Sequence, residues 1–292
     1  MNRFLASASP SSLASFIDNF FLSIDYYVVW IIAILLILSI VAVLTDQLNI
    51  GGSIAAFFLG VMIILAFGFG GLGVYLFFII GAAILSKLNK SNEIYIEART
   101  IQEKSGKRDF AQVFANGGIG FILAALYLFF PHPIIIIMFG ASVAEAVSDT
   151  FAGEVGMLTK SRVVSILTGR PLKPGLSGGV SFQGTLASLI GSFLIAILWY
   201  SVYYSPSIRT ISYMAIVTLA GFIGSIVDSI LGLTIQAHYY DEKENKIVEK
   251  EYLNGKKLPL IRGIRTINND KVNFLSNMFS VAFAAFFYLI IR

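Results

Sequence analysis

Long apolar runs broken by short polar stretches fill this chain, and the runs recur at the length of a helix that crosses a bilayer. A spanning helix takes about 20 mostly apolar residues, and eight runs approach that length: 26–45, 50–67, 69–87, 113–130, 133–150, 182–204, 210–233 and 273–291. The second and third are short and meet at the Gly-rich stretch from Phe67 to Gly73, which predicts a helical hairpin or one re-entrant segment. With 57% hydrophobic and 13% charged residues and a mean hydropathy of +0.80, the chain lacks the polar groups needed to cover a soluble surface. The expected fold class is therefore all-α: a polytopic transmembrane helix bundle of about eight spans. It forms one domain over 26–292, with loops at 88–112, 151–181 and 234–272, preceded by an interfacial segment at 1–25 whose apolar core is too broken for a cleaved signal.

Charge changes the picture by giving the bundle two different ends. Eighteen of the 21 Lys and Arg residues lie in the three loops that follow spans three, five and seven. In an eight-span chain these loops share one side, which the positive-inside rule makes cytoplasmic, with both termini outside. The basic residues lack interleaved aromatics on a soluble platform, so nucleic acid is not an expected partner. Zero cysteines exclude disulfides and thiolate chemistry. His132 sits in the external Pro131-His132-Pro133 turn and His238 beyond span seven, and both read as surface residues rather than zinc ligands.

Polar residues also gather at the ends of spans on that same side. They are Gln112 and Asn116; Glu145, Ser148, Asp149 and Glu154; Ser181, Gln183 and Thr185; Asp228 and Ser229; and Asn269, Asp270 and Asn273. An ionisable group in hydrocarbon costs several kcal/mol unless paired or bound to an ion, so such residues mark a site. Asp149-Thr150-Phe151-Ala152-Gly153 and Asp228-Ser229-Ile230-Leu231-Gly232 share the pattern D-[S/T]-x-x-G, and Asn-containing clusters open spans four and eight. A pseudo-symmetric pair of helical hairpins facing one cavity would produce this. Small faces at Gly221, Gly224, Ser225 and Gly232, and at Gly184, Ser188, Gly191 and Ser192, predict close helix packing.

The loop into span six, Pro174-Gly175-Leu176-Ser177-Gly178-Gly179-Val180-Ser181, offers glycine backbone N–H groups at a helix N-terminus, the chemistry that cradles phosphate. It is not a Walker A loop, because no G-K-[S/T] closes it. Mg²⁺ takes one or two carboxylates and completes its shell with phosphate and water. Asp149, Asp228 and Asp270 are the candidate ligands, with Glu154 as a further one and Asn116 and Asn273 as amide donors. Residues 236–268 are expected to be a solvated excursion carrying a small hairpin near Ile247-Val248 and the Asn254-Gly255 turn.

Five ordered blocks, Gln112 to Gly118, Ser148 to Gly156, Gly175 to Thr185, Gly224 to Ser229 and Asn269 to Asn273, resemble those of the integral membrane family called domain of unknown function 92. That family takes in transmembrane protein 19 and a plant phytyl-phosphate kinase. Leu176 departs from it, standing where the pattern has Thr. The resemblance implies a Mg²⁺-dependent polyprenyl-phosphate kinase that moves a phosphoryl group from a nucleoside triphosphate, CTP by analogy, to an isoprenoid monophosphate such as phytyl or geranylgeranyl phosphate at the cytoplasmic face. On that reading Asp149 and Asp228 hold the metal, joined by Glu154 and Asp270, while Asn116 and Asn273 orient phosphate. Gly175, Ser177, Gly178, Gly179, Ser181 and Thr185 bind phosphate oxygens, and Lys173, Arg162 and Lys271 neutralise charge. Two other classes fit the residues: a CTP-dependent lipid-phosphate cytidylyltransferase, and a transporter or flippase for a lipid or ion.

Overall fold

The computed structural model describes residues 26–89, 91–103, 106–158 and 162–292, so the expected interfacial segment at 1–25 lies outside the described residues. The helices are α1 (Tyr26–Leu44), α2 (Ile50–Asn89), α3 (Glu93–Ile101), α4 (Phe110–Phe129), α5 (Pro133–Leu158), α6 (Phe182–Tyr203), α7 (Ile208–Thr234) and α8 (Asn269–Ile291). Six of these, α2 and α4 to α8, are long and apolar enough to cross a membrane, and α1 contributes a shorter apolar stretch.

The 40-residue α2 is two spans, and Gly68 is the reason. Its φ of 67° and ψ of −166° lie in a region open essentially to glycine alone, so the helix breaks there. The first half begins beside Arg108 and Asp109, where Gly52 packs against their backbone. The break lies at the opposite end, beside Val202 and Tyr203, and the second half returns to finish at Asn89, bonded to Glu154 near the end of α5. Each half holds about 20 residues, roughly 30 Å at 1.5 Å per residue, enough to span. The break frees the Phe67 carbonyl, which accepts a hydrogen bond from Tyr203 Oη at 3.0 Å. Runs two and three are thus a hairpin, and with α1 the chain makes about eight passes.

Helix starts follow local capping chemistry. Asp109 and Gln112 form a reciprocal capping box on α4, Ser207 and Thr210 another on α7, and Ser181 and Asn268 cap α6 and α8. Gln112, expected to belong to a site, is therefore explained as a cap.

Helix α5 is the hub, packed against α2, α4, α6, α7 and α8. Its Gly140, Ala141, Ser142, Ala144 and Ala146 are small enough to let five neighbours approach. Trp199 fills the space over Gly140 and donates Nε1–H to the Ile136 carbonyl at 2.9 Å. Around it Tyr203, Tyr204, Tyr213 and Tyr288 form an aromatic cluster at the end of the bundle away from Asn89 and Glu154. Such clusters suit a membrane–water boundary.

At the other end the loops are folded rather than merely solvated. Strands β1 (Val164–Ser165) and β2 (Gly179–Val180) pair across the Gly-rich loop. In the last loop β3 (His238–Asp241) pairs with β4 (Lys246–Val248) and β7 (Leu260–Arg262), all antiparallel. Strands β5 (Tyr252–Leu253) and β6 (Lys256–Lys257) make the expected hairpin over Asn254 and Gly255, both at positive φ. Ala237, Tyr239, Val248 and Leu258 form a small separate core. The expectation of a solvated excursion is thus corrected: inward-facing apolar residues between the charges let the segment fold.

Candidate functional site

Helices α5, α6 and α7, the start of α8 and the Gly-rich loop enclose a cavity of about 350 Å³ at the end of the bundle that carries the sheet. Asp149 and Asp228 both line it, together with Gly153, Gly175 to Ser181, Gly184, Thr185, Ser188, Ser225, Ser229 and Asn269. The two aspartates of the D-[S/T]-x-x-G repeats, 79 positions apart in the sequence, therefore line one space.

The acids are held differently. Asp228, on α7, accepts from Ser276 Oγ at 3.1 Å and, with the Asn273 amide turned so that its donor meets acceptors, from Asn273 at 3.1 Å. Glu145, one turn before Asp149 on α5, accepts from Ser276 Oγ at 2.7 Å and from Asn277 Nδ2 at 2.6 Å. Asn277 also ties back to the Ser142 carbonyl. No hydrogen-bond donor among the described residues reaches the Asp149 carboxylate, which leaves its oxygens to the cavity. Ser148, Ser188 and Ser225, one from each of three helices, close the floor with hydroxyl contacts of 2.6 to 3.3 Å. Close packing makes this possible. A Cβ on Gly224 would lie 2.5 Å from Glu145 Cγ, and one on Gly221 2.4 Å from Ser192 Oγ.

The Gly-rich loop turns at Gly175 and Gly178, with φ of 88° and 82°. It is pinned from both sides: Gly175 lies against Ala98 of α3, and Ser177 and Gly178 against Gly232 and Leu233 of α7. Its donors are partly committed. Gly179 N–H bonds to the Leu176 carbonyl, Ser177 N–H to Glu249 Oε1, and Ser181 Oγ caps Gly184, whereas Gly175 and Gly178 N–H meet no acceptor among the described residues. Ser177 Oγ accepts from Gln236 Nε2 at 2.9 Å. Thr185 lines the cavity and is exposed.

Several expected members lie elsewhere. Glu154 turns from the cavity to accept from Asn89 Nδ2 at 2.7 Å, an interhelical tie between α5 and α2. Asp270 is not among the lining residues, and no group of three acids or histidines among the described residues is placed to hold a metal. Of Asp149, Glu154, Asp228 and Asp270, expected together as metal ligands, Asp149 and Asp228 line the cavity and the other two do not. Asn116 donates to the Gln112 carbonyl on its own helix and is not among the lining residues. Arg162, Lys173 and Lys271 are exposed and outside the lining, and Lys271 Nζ donates to the Thr266 carbonyl at 2.5 Å. His238 is not a surface residue; it is 1% exposed on β3.

Sequence reasoning missed Ser276, Asn277 and Ser280, although with Asn273 they form a polar stripe at i, i+3, i+4 and i+7 on α8, the period that puts them on one face. It also missed Gln236 and Glu249, which short strands among charged residues conceal.

Fold and site together define a polytopic helical membrane protein with a polar, acid-lined cavity at one end. The chain belongs to the family described as integral membrane protein DUF92, whose sequence profile matches residues 33–281. Over 251 residues it is 28% identical to Protein PGR of Arabidopsis thaliana, covering 79% of this chain and 85% of that one. It is 32% identical over 187 residues to an uncharacterized membrane protein of Synechocystis, covering 62% and 69%. With the chloroplastic Protein VTE6 of Arabidopsis thaliana it shares 28% identity over 240 residues, 80% of this chain and 63% of that one. No solved structure matches the chain.

Proposed function

We propose that this protein is a polyprenyl-phosphate kinase that converts an isoprenoid monophosphate to the diphosphate at the cytoplasmic membrane face. The observation that carries the reading is one cavity, at the polar end of an apolar bundle, lined by Asp149, Asp228 and the Gly-rich loop. Similarity to VTE6, and the family's inclusion of a phytyl-phosphate kinase, support the same class.

In the reaction a terminal phosphate oxygen of the lipid attacks the γ-phosphorus of the nucleotide. The bond from that phosphorus to the β–γ bridging oxygen breaks, and nucleoside diphosphate leaves. The nucleophile is already anionic, so no strong base is needed and catalysis is positioning and charge neutralisation. Asp149 and Asp228 would hold Mg²⁺, a hard cation that takes one or two carboxylates and leaves its other positions to phosphate and water. The donor set fits: Asp149 offers an unbonded carboxylate to the cavity, and Asn273 and Ser276 orient Asp228. Gly175 and Gly178 N–H donate to phosphate oxygens, and Thr185 Oγ1 adds a hydroxyl at the rim. Arg162, Lys173 and Lys271, exposed though outside the lining, would add the positive charge that draws the anionic nucleotide in. The prenyl chain lies among the spans, in the solvent its apolar surface prefers.

The test incubates purified protein with Mg²⁺, γ-labelled CTP or ATP, and a panel of prenyl monophosphates. Label appearing in lipid diphosphate, and lost in Asp149→Asn and Asp228→Asn, supports the kinase. Release of pyrophosphate with the nucleotide's α-phosphate joined to lipid would replace it with a cytidylyltransferase.

A further inference from the structure

We propose that Glu249, carried on the extramembrane sheet, is a positioning residue that sets the Gly-rich loop over the two aspartates. It rests on the kinase reading for its catalytic consequence, but the clamp itself is a matter of geometry.

Glu249 directly follows β4, and its own N–H donates to the Ile101 carbonyl at the end of α3 at 2.9 Å. Its place is therefore fixed from two sides before its side chain is considered. The residue is 6% exposed, and its carboxylate reaches across 72 positions of sequence to accept Ser177 N–H at 2.8 Å. Gln236 holds the same residue by its hydroxyl at 2.9 Å. Ser177 in turn rests on Gly232, one turn beyond Asp228 on α7. A line of contacts thus runs from the sheet through the loop to the turn of α7 that follows Asp228, and the loop's height over the cavity follows the position of Glu249.

A packing role alone would not need a carboxylate there. Burying one costs several kcal/mol unless it is well paired, and among the described residues no Lys or Arg forms an ion pair with it. The charged and titratable groups around it are His238, whose Nε2 is 3.9 Å from Glu249 Oε1, Glu103, Arg262 beyond His238, and at longer range Asp228. Burial, partly offset by Ser177, pushes the Glu249 carboxyl up to about 7, and burial with Arg262 nearby brings His238 down to about 4. Around neutral pH His238 is uncharged, and Glu249 passes from a neutral acceptor to an ionised one that binds Ser177 N–H about twice as strongly.

The experiment uses the full chain in lipid nanodiscs. Amide hydrogen exchange is followed across 174–181 between pH 6 and 8, corrected for intrinsic rates, in the wild type, Glu249→Ala and Glu249→Gln. Glu249→Ala should raise exchange at Ser177 about tenfold, the loss expected for one charge-assisted bond. Glu249→Gln keeps an acceptor, so protection returns but loses its rise with pH. In phosphoryl transfer the Ala variant should raise the nucleotide KM about tenfold with kcat within about twofold. Unchanged Ser177 protection in Glu249→Ala overturns the clamp. If that variant does not fold, equal pH dependence of Ser177 exchange in wild type and Glu249→Gln overturns it instead. A wild type that transfers no phosphate sinks the kinase reading, while the exchange data still decide the clamp.

Discussion

Glu145 and Asp149 are one turn apart on the same helix, yet the groups around them assign opposite work. Glu145 accepts from Ser276 and Asn277, one bond to each oxygen, whereas Asp149 meets no donor among the described residues. Removing Glu145 leaves buried partners unpaired, so Glu145→Ala should cost about 2 kcal/mol or more, read as a lower unfolding midpoint of purified protein. Asp149→Asn should leave that midpoint nearly unchanged and reduce transfer at least about a hundredfold, the scale of losing one group that neutralises developing charge. A pH titration of stability separates His238 from Glu249. The His238 value falls from an ordinary 6.5 to about 4, so its folded form binds fewer protons and stability is lost as pH drops from 6.5 toward 4. The Glu249 value rises from 4.5 to about 7, so its folded form binds more protons and stability is lost as pH climbs from 4.5 toward 7. In Glu249→Gln, melting temperatures between pH 5 and 8 should lose the decline toward alkaline pH. At this scale the sequence exposed Asp149 and Asp228, because an acid in an apolar run has few bland explanations. It misled at Glu154 and Asn116, whose partners Asn89 and the Gln112 carbonyl depend on how the helices rotate.

Helices assemble here through small residues, and the cavity depends on that closeness. At Gly221 a methyl group would meet Ser192 Oγ at 2.4 Å and the Ala144 backbone at 2.7 Å, whereas at Gly153 it would meet nothing within 4 Å. Gly221→Ala should therefore destabilise the protein by about 1–3 kcal/mol through overpacking while Gly153→Ala does not, as denaturation in matched detergent would report. The spans were legible because an apolar run of sufficient length has essentially one fate in lipid. The hairpin in α2 was legible only as an alternative, since sequence showed several glycines and only the backbone at Gly68 shows which one turns. The sheet was underread because its strands are two to four residues long and interrupted by charges.

At the scale of the molecule, the sheet, the Gly-rich loop and the acids occupy one end, and the tyrosines around Trp199 occupy the other. By the positive-inside rule the basic loops predict that the first end faces the cytoplasm. With no native cysteine, single thiols can test this: an impermeant maleimide on intact cells should label Ser205→Cys and not Lys243→Cys. Labels in the reverse pattern would turn the protein over. The aromatic cluster then has a consequence for supply under the proposed reaction. Trp199 and the tyrosines pack their rings against one another at the end of the bundle opposite the cavity. A lipid phosphate is therefore expected to come in from the monolayer on the cavity's side, and one made in the opposite monolayer would first have to change sides.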